Sequence, residues 1–218
     1  MQESATPFLR DIGMPWATYL RLRRTPGVRI TLAPFTEPFL CAPNPLKGPL
    51  AMTNSSDKVK DLATIVKIVS RARSAGMRVV TTNGCYDVLH PGHVATLEWA
   101  KAKGDLLVVG MDADASVRKN KGPGRPIIPA HDRALVLAGL ASVDYVFVFS
   151  SKNPIPWLKK LKPEVHVKGK GSELDPRFAP EEKVVQAGGG KVLLAPKMPG
   201  RSTTDIINTI IKRNGEKR

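Results

Sequence analysis

Cysteine is scarce in this chain of 218 residues: only Cys41 and Cys85 occur. Two cysteines build no disulfide framework and fit a reducing, cytoplasmic setting. Long apolar runs are missing too. None approaches the ~18 residues that a membrane span requires, and the first thirty residues lack the apolar core of a secretory signal. Arg10, Arg21, Arg23, Arg24 and Arg29 give that region a transit-peptide flavour, but serine is sparse there and Glu3 and Asp11 interrupt it. Acidic residues are outnumbered, 19 against 34 Lys and Arg, for a net charge of +15. That charge is spread along the chain, without a polybasic block or a basic stripe interleaved with aromatics. Nucleic acid therefore ranks behind triphosphates and sugar phosphates as the partner of a basic surface. No internal repeat is visible.

What remains is ordinary globular composition, 42% hydrophobic and 24% charged. The length suits one sizeable core and is short for two. Eight of the 19 prolines fall irregularly in residues 1–50, where no helical or strand period is sustained. Residues 1–54 are expected to be an irregular extension that need not fold, and residues 55–218 one regular domain.

Within that domain short apolar runs alternate with helical periods. Ser55 or Ser56 is expected to cap a helix through Val59, Leu62, Ile65, Val66 and Val69 that Gly76 stops. A β-branched run, Arg78–Asn83, ends at Gly84, and Pro91 fits the first turn of a helix that closes near Gly104. Leu106–Met111 is almost wholly apolar, as a strand covered on both faces should be. Asp114–Lys119 reads as a short helix before a Gly/Pro-rich loop, Lys121–Pro126. Residues 130–141 read as helix, Tyr145–Phe149 as strand, Pro154–Leu161 as helix and Glu164–Lys168 as strand. Residues 180–187, Lys191–Ala195 and Ser202–Arg213 complete the pattern as helix, strand and helix. Such alternation predicts an α/β fold, a parallel sheet with helices on both faces.

The segment richest in chemistry is Thr81-Thr-Asn-Gly-Cys-Tyr-Asp-Val-Leu-His-Pro-Gly-His93. It joins a strand, a glycine turn and two histidines at the opening of a helix. Ligands of open α/β sheets collect at the carboxyl ends of strands, and helix N-termini favour anions. Gly84 lets backbone amides approach a phosphate, His90 and His93 straddle the first helical turn, and Gly92 leaves room between them. Two imidazoles three residues apart could instead share zinc, with Asp87 or Cys85 nearby. No second ligand cluster accompanies them, and the phosphate reading is preferred. Isolated His131 and His166 read as surface or internally satisfied residues. Cys85 reads as a small buried filler, since no base is arranged for thiol chemistry.

Asn83–His93 resembles the first motif of the cytidylyltransferase-like nucleotidyltransferases, and the resemblance runs from about residue 57 to 213. Three further stretches look like those of heptose 1-phosphate adenylyltransferases: Gly110–Val117, Lys121–Ile127 with Arg133 after it, and Gly200–Ile206. The resemblance implies a Rossmann-like five-stranded parallel sheet, order 3-2-1-4-5, that moves AMP or CMP from ATP or CTP to a phosphorylated small molecule. Attack on the α-phosphorus is in line, without a covalent enzyme intermediate. On this reading His90, His93 and Lys121 are the catalytic groups, with Lys119 competing for the lysine's role. Gly84, Cys85, Tyr86, Asp87, Gly92, Asp112, Arg133, Lys197, Ser202, Thr203 and Thr204 are the further nucleotide-binding candidates. Lys168, Gly169 and Lys170 are assigned to the acceptor. Mg²⁺ is expected on the triphosphate, held by phosphate oxygens rather than by a protein cage. Each residue has a plainer role open to it: Ser202–Thr204 as a helix cap, Asp112 and Asp114 as strand-end and cap residues, Lys121 as a solvated charge.

The chain departs from the heptose pattern after its fourth strand, where Val167-Lys-Gly-Lys-Gly171 stands in place of Val-Lys-Gly-Gly-Asp. Lys197-Met-Pro-Gly-Arg201 likewise replaces a segment that often carries arginine, threonine and glutamate. Glycerol-3-phosphate cytidylyltransferase and FMN adenylyltransferase chemistry stay open as alternatives; a basic nucleic-acid-binding protein on a degenerated transferase fold is more remote, since both histidines are intact. Dimerisation is common among proteins of this kind, although no interface is legible in the sequence. Met52, followed by a polar stretch and a regular helix, is a candidate natural start. Peptides from residues 10–45 in mass spectra of the natural protein would exclude it.

Overall fold

A computed structural model describes residues 54–198 and 202–215. The expectations for the proline-rich extension and for Met52 lie outside the described residues, as do Gly200 and Arg201. The regular region begins with α1 (Ser55–Lys58), capped by the Asn54 side chain accepting from the Ser56 amide. It does not continue as one helix. Val59 turns extended and bridges Val146, and Asp61 caps a second helix, α2 (Leu62–Ser74), by accepting from the Thr64 amide at 2.8 Å. The expected single helix from Ser55 is thus two, because the Asp61 carboxylate is a competing cap at the start of the apolar period.

Five parallel strands follow: β1 (Val79–Gly84), β2 (Leu106–Asp112), β3 (Tyr145–Phe149), β4 (Val165–Gly169) and β5 (Lys191–Ala195). Their spatial order is β3-β2-β1-β4-β5, the expected one. β1 aligns Val79 with Leu106 on one side and Val80 with Val165 on the other. The order reverses between β1 and β4, which opens a crevice at the carboxyl ends of these two central strands.

The helices are α3 (Pro91–Lys101), α4 (Asp114–Lys121), α5 (Ala130–Ala138), α6 (Ile155–Leu161), α7 (Phe178–Ala187) and α8 (Thr203–Gly215). One face of the sheet buries Leu97, Ala100, Ala134 and Leu137 from α3 and α5. The other buries Ile65, Val69, Trp157, Leu158 and Val185 from α2, α6 and α7. β2 is buried along almost its whole length, which explains its unbroken apolar run. Gly110 in β2 makes that packing feasible: a Cβ there would sit 3.0 Å from the Trp157 ring and 3.1 Å from Phe147.

Several boundaries differ from the sequence reading, two of them on either side of the loop between α4 and α5. α4 runs on through Lys121 and stops at Gly122, whose φ of 99° suits glycine. α5 ends early, at Ala138 before Gly139.

His166, read as satisfied or superficial, is fully buried on β4. Its Nδ1 shares a 2.8 Å hydrogen bond with the Thr81 hydroxyl, and its Nε2 has no protein partner. Burial, aided by the nearby Lys168 charge, pushes its pKa down from 6.5 to about 3. The folded protein therefore refuses a proton that the unfolded chain accepts. Stability present above pH 6.5 should decline as pH falls toward 3, by up to about 1.4 kcal/mol per pH unit. Urea unfolding between pH 7 and 4 should show a falling midpoint, with a shallower fall in His166→Asn. Equal slopes in the two proteins would remove His166 as the source.

Candidate active site

The carboxyl ends of the strands open onto a cavity of about 480 Å³. β1 contributes its last residues and the turn after them. Gly84 sits under the Tyr86 ring, where a Cβ would come within 3.2 Å of an aromatic carbon. Tyr86 itself has φ 47°, a left-handed conformation that is costly for an aromatic residue. Its ring is buried and meets His93 edge-on, the ring centroids 5.2 Å apart. The strained residue thus carries the chain out of the strand and into α3 while walling the histidine pair.

His90 is the N-cap of α3, its Nδ1 accepting from the Gly92 amide at 3.1 Å, and Pro91 occupies the first helical turn. His93 stacks on His90 with centroids 3.8 Å apart and planes 24° from parallel. Burial and the adjacent His90 lower the His93 pKa to about 4, and burial also lowers that of His90. Both rings are therefore neutral at pH 7, and each can donate one N–H. The Nδ1 of His93 is buried without a protein partner.

The turn is held from beneath by two charged groups. The Asp87 carboxylate has no exposed surface; it accepts from the Ile127 and Ile128 amides at 2.7 and 2.9 Å and from Arg125 Nε. Burial alone would raise its pKa, but the two amides and the guanidinium outweigh it and hold the carboxyl below its usual value. The Arg133 side chain is equally unexposed. It donates to the carbonyls of Cys85, Ile128 and Asp112 and to the Asp114 carboxylate. One guanidinium thus ties the ends of β1 and β2 to the loop between α4 and α5. Asp112 lines the cavity and accepts from the Cys85 thiol, 3.5 Å away. Burial raises the pKa of both; Cys85, with Asp112 beside it, reaches about 11, so the thiol stays protonated.

Of the residues singled out by sequence, Gly84, Cys85, Tyr86, Asp87, His90, His93, Asp112, Lys121, Lys168, Gly169, Ser202, Thr203 and Thr204 share this cavity. The start of α8 reaches the β1 turn through the Thr203 hydroxyl, which donates to the Val88 carbonyl at 3.2 Å. Five others stand elsewhere. Gly92 lies within the first turn of α3, its amide taken by His90. Lys119, Lys170 and Lys197 are exposed and outside the cavity lining. Arg133 is consumed inside the wall, a positioning group rather than a nucleotide contact. Lys121 lines the cavity from the last residue of α4 rather than from the loop. Lys168 does too, but it is bonded to Glu181 at 2.7 Å and Asn83 at 3.1 Å.

Sequence reasoning missed Asn83, Asn120, Arg125, Lys152, Asn153 and the group Ser172, Asp175, Arg177 and Glu181. Most lie at strand ends or in the loops that follow, the position where an open α/β sheet binds; Asn120 and Glu181 reach the cavity from α4 and α7. Among the described residues no cluster of three or more His, Cys, Asp or Glu side chains could cage a metal, and no helix is long and apolar enough to cross a membrane.

The cytidylyltransferase-like family model matches residues 81–209, which include the whole turn, both histidines and the start of α8. The chain belongs to the cytidylyltransferase-like family. Among curated relatives, bifunctional protein HldE of Geobacter sulfurreducens is 46% identical over 159 residues, 73% of this chain and 32% of that protein. The HldE protein of Geobacter metallireducens is 42% identical over 164 residues, 75% of this chain and 33% of its own. The chain thus spans about a third of the length of these relatives. Among solved structures, the lipopolysaccharide core biosynthesis protein from Thermoplasma volcanium aligns at 26% identity with a TM-score of 0.48, over 56% of this chain and 98% of that one.

Arg133 is tested by stability rather than by substrate affinity. Arg133→Ala leaves Asp114 and three carbonyls without their donor, and should cost roughly 3–5 kcal/mol of stability in denaturant unfolding. An unchanged unfolding midpoint with only a raised nucleotide KM would instead make Arg133 a substrate contact.

Proposed function

We propose that this chain is a nucleotidyltransferase that moves AMP from ATP onto the phosphate of a heptose 1-phosphate or a similar sugar phosphate. The observation that carries the reading is the convergence of a glycine turn, the stacked His90/His93 pair and the α8 start at Ser202–Thr204 on one cavity. Turn amides and two helix N-termini are sources of N–H groups for a triphosphate. The resemblance to heptose adenylyltransferases and the 46% identity to an HldE protein favour ATP and a sugar phosphate over CTP and other acceptors.

An acceptor phosphate oxygen attacks the α-phosphorus in line. The bond from that phosphorus to its bridging oxygen breaks, and the oxygen departs with the electron pair as pyrophosphate. The chain's own part is positioning and stabilisation of the negative charge that grows on the departing oxygens. His90 and His93 donate N–H groups to phosphate oxygens, and Lys121 faces the same cavity with a full positive charge. Mg²⁺, when bound with the triphosphate, neutralises phosphate charge. Asp112, which forms no ion pair with any described residue, is the cavity carboxylate suited to face it. A cytoplasmic location suits this chemistry, because ATP and sugar phosphates are found there.

Pyrophosphate release should be measured with ATP and CTP against heptose 1-phosphate, glycerol 3-phosphate and FMN. The expected outcome is turnover with ATP and heptose 1-phosphate. Turnover confined to CTP with glycerol 3-phosphate, or to FMN, would reassign the acceptor. His93→Ala should lower kcat by about 10²–10³ while the circular dichroism spectrum stays unchanged. A kcat near that of the wild type would take His93 out of the reaction.

A further inference from the structure

We infer that Arg125 binds the phosphate of the acceptor and that the buried Asp87 aims it there; the inference rests on the transfer reading above. The cavity's cations fall into two groups. On the β4 side they are spent within the protein: Lys168 pairs with Glu181 at 2.7 Å and Arg177 with Asp175 at 2.6 Å. That side is closer to neutral and suits uncharged hydroxyls or a base. Beyond β2 and β3, Lys121 at the end of α4 and Lys152 in the loop before α6 line the cavity without an ion-pair partner among the described residues. Arg125 stands with them, its side chain 16% exposed.

Arg125 differs from the two lysines in being fixed. Only its Nε is engaged, by a carboxylate that two backbone amides already hold in place. No described group accepts from its two terminal nitrogens, so the planar fork that matches a phosphate remains available in a set orientation. In-line displacement places the attacking oxygen on the side of the α-phosphorus opposite pyrophosphate. The start of α3 and the start of α8 meet at the β1 turn, where the Thr203 hydroxyl reaches Val88. With the pyrophosphate end drawn to those helix starts, the acceptor phosphate is left facing the β2 and β3 loops.

Steady-state kinetics of R125Q, R125K and D87N test this, with each thermal midpoint measured first. R125Q should raise the KM for heptose 1-phosphate about tenfold or more, as expected for charge-assisted bonds. Its KM for ATP should stay within about twofold on the same grounds. R125K should recover only part of the loss, and D87N should shift the same KM in the same direction. If D87N does not fold, R125Q alone decides, since the Arg125 side chain holds no backbone group. A rise confined to the ATP KM, or no change in either KM, overturns the assignment. Absence of wild-type turnover would overturn the transfer reading instead. Arg125 is then judged by calorimetric titration of inorganic phosphate into enzyme holding Mg²⁺ and α,β-methylene ATP. Weaker phosphate binding by R125Q supports the assignment, and equal binding overturns it.

Discussion

The site depends on two charges that water does not reach. Asp87 and Arg133 carry fully covered side chains, and isolated charges so placed would be strongly destabilising. Each is instead saturated: Asp87 by two amides and a guanidinium, Arg133 by three carbonyls and a carboxylate. They interlock at Ile128, whose amide serves one and whose carbonyl serves the other. The ends of β1 and β2 and the loop before α5 are thereby fastened to one another. A turn strained at Tyr86 keeps its shape because moving its flank would break bonds to one or both of these buried groups.

That rigidity bears on the chemistry. Transfer of a nucleotidyl group asks little bond-making of the protein and much placement of fixed positive dipoles and charges. The parallel sheet delivers several chain segments to one end, and the reversal of strand order separates them into two banks. On one bank the cations are already paired with carboxylates. On the other, Lys121 and Lys152 have no ion-pair partner among the described residues, and Arg125 pairs with Asp87 only through Nε. The cavity is consequently a polarised groove rather than a uniformly basic pocket, even though the chain as a whole carries +15.

The fold was largely readable because its elements alternate in period: apolar or β-branched runs of five or six residues, then amphipathic helices, several of them closed by glycine. The sheet order itself came from resemblance, since periodicity does not say which strands neighbour one another. The errors lie where side chains compete locally. Asp61 outbid the serines as a cap, and the helix before Gly122 ran on to Lys121 because nothing earlier could break it. The turn and the histidine pair were legible because their residue types are unusual at that spacing. Arg133 was recognised as belonging to the site, but its burial was not, since an arginine in sequence reveals nothing of the carbonyls it will meet. Arg125 lies inside the Lys121–Ile127 stretch, but nothing there told it from a solvated charge; Lys152 and Arg177 carry no local pattern, and only the assembled sheet brings these loops together.

The cap on α3 has a consequence for proton bookkeeping at the site. A backbone amide has no lone pair to offer, so the Nδ1 of His90 that accepts from Gly92 must be unprotonated. The neutral ring's hydrogen therefore resides on Nε2. His90 is held by the peptide backbone in one tautomer and offers an N–H without carrying a charge. Protonating Nδ1 would cost the helix its cap, so the start of α3 resists conversion of His90 to a cation. The imidazole serves as an oriented dipole, and its readiness to donate is set by the helix it begins.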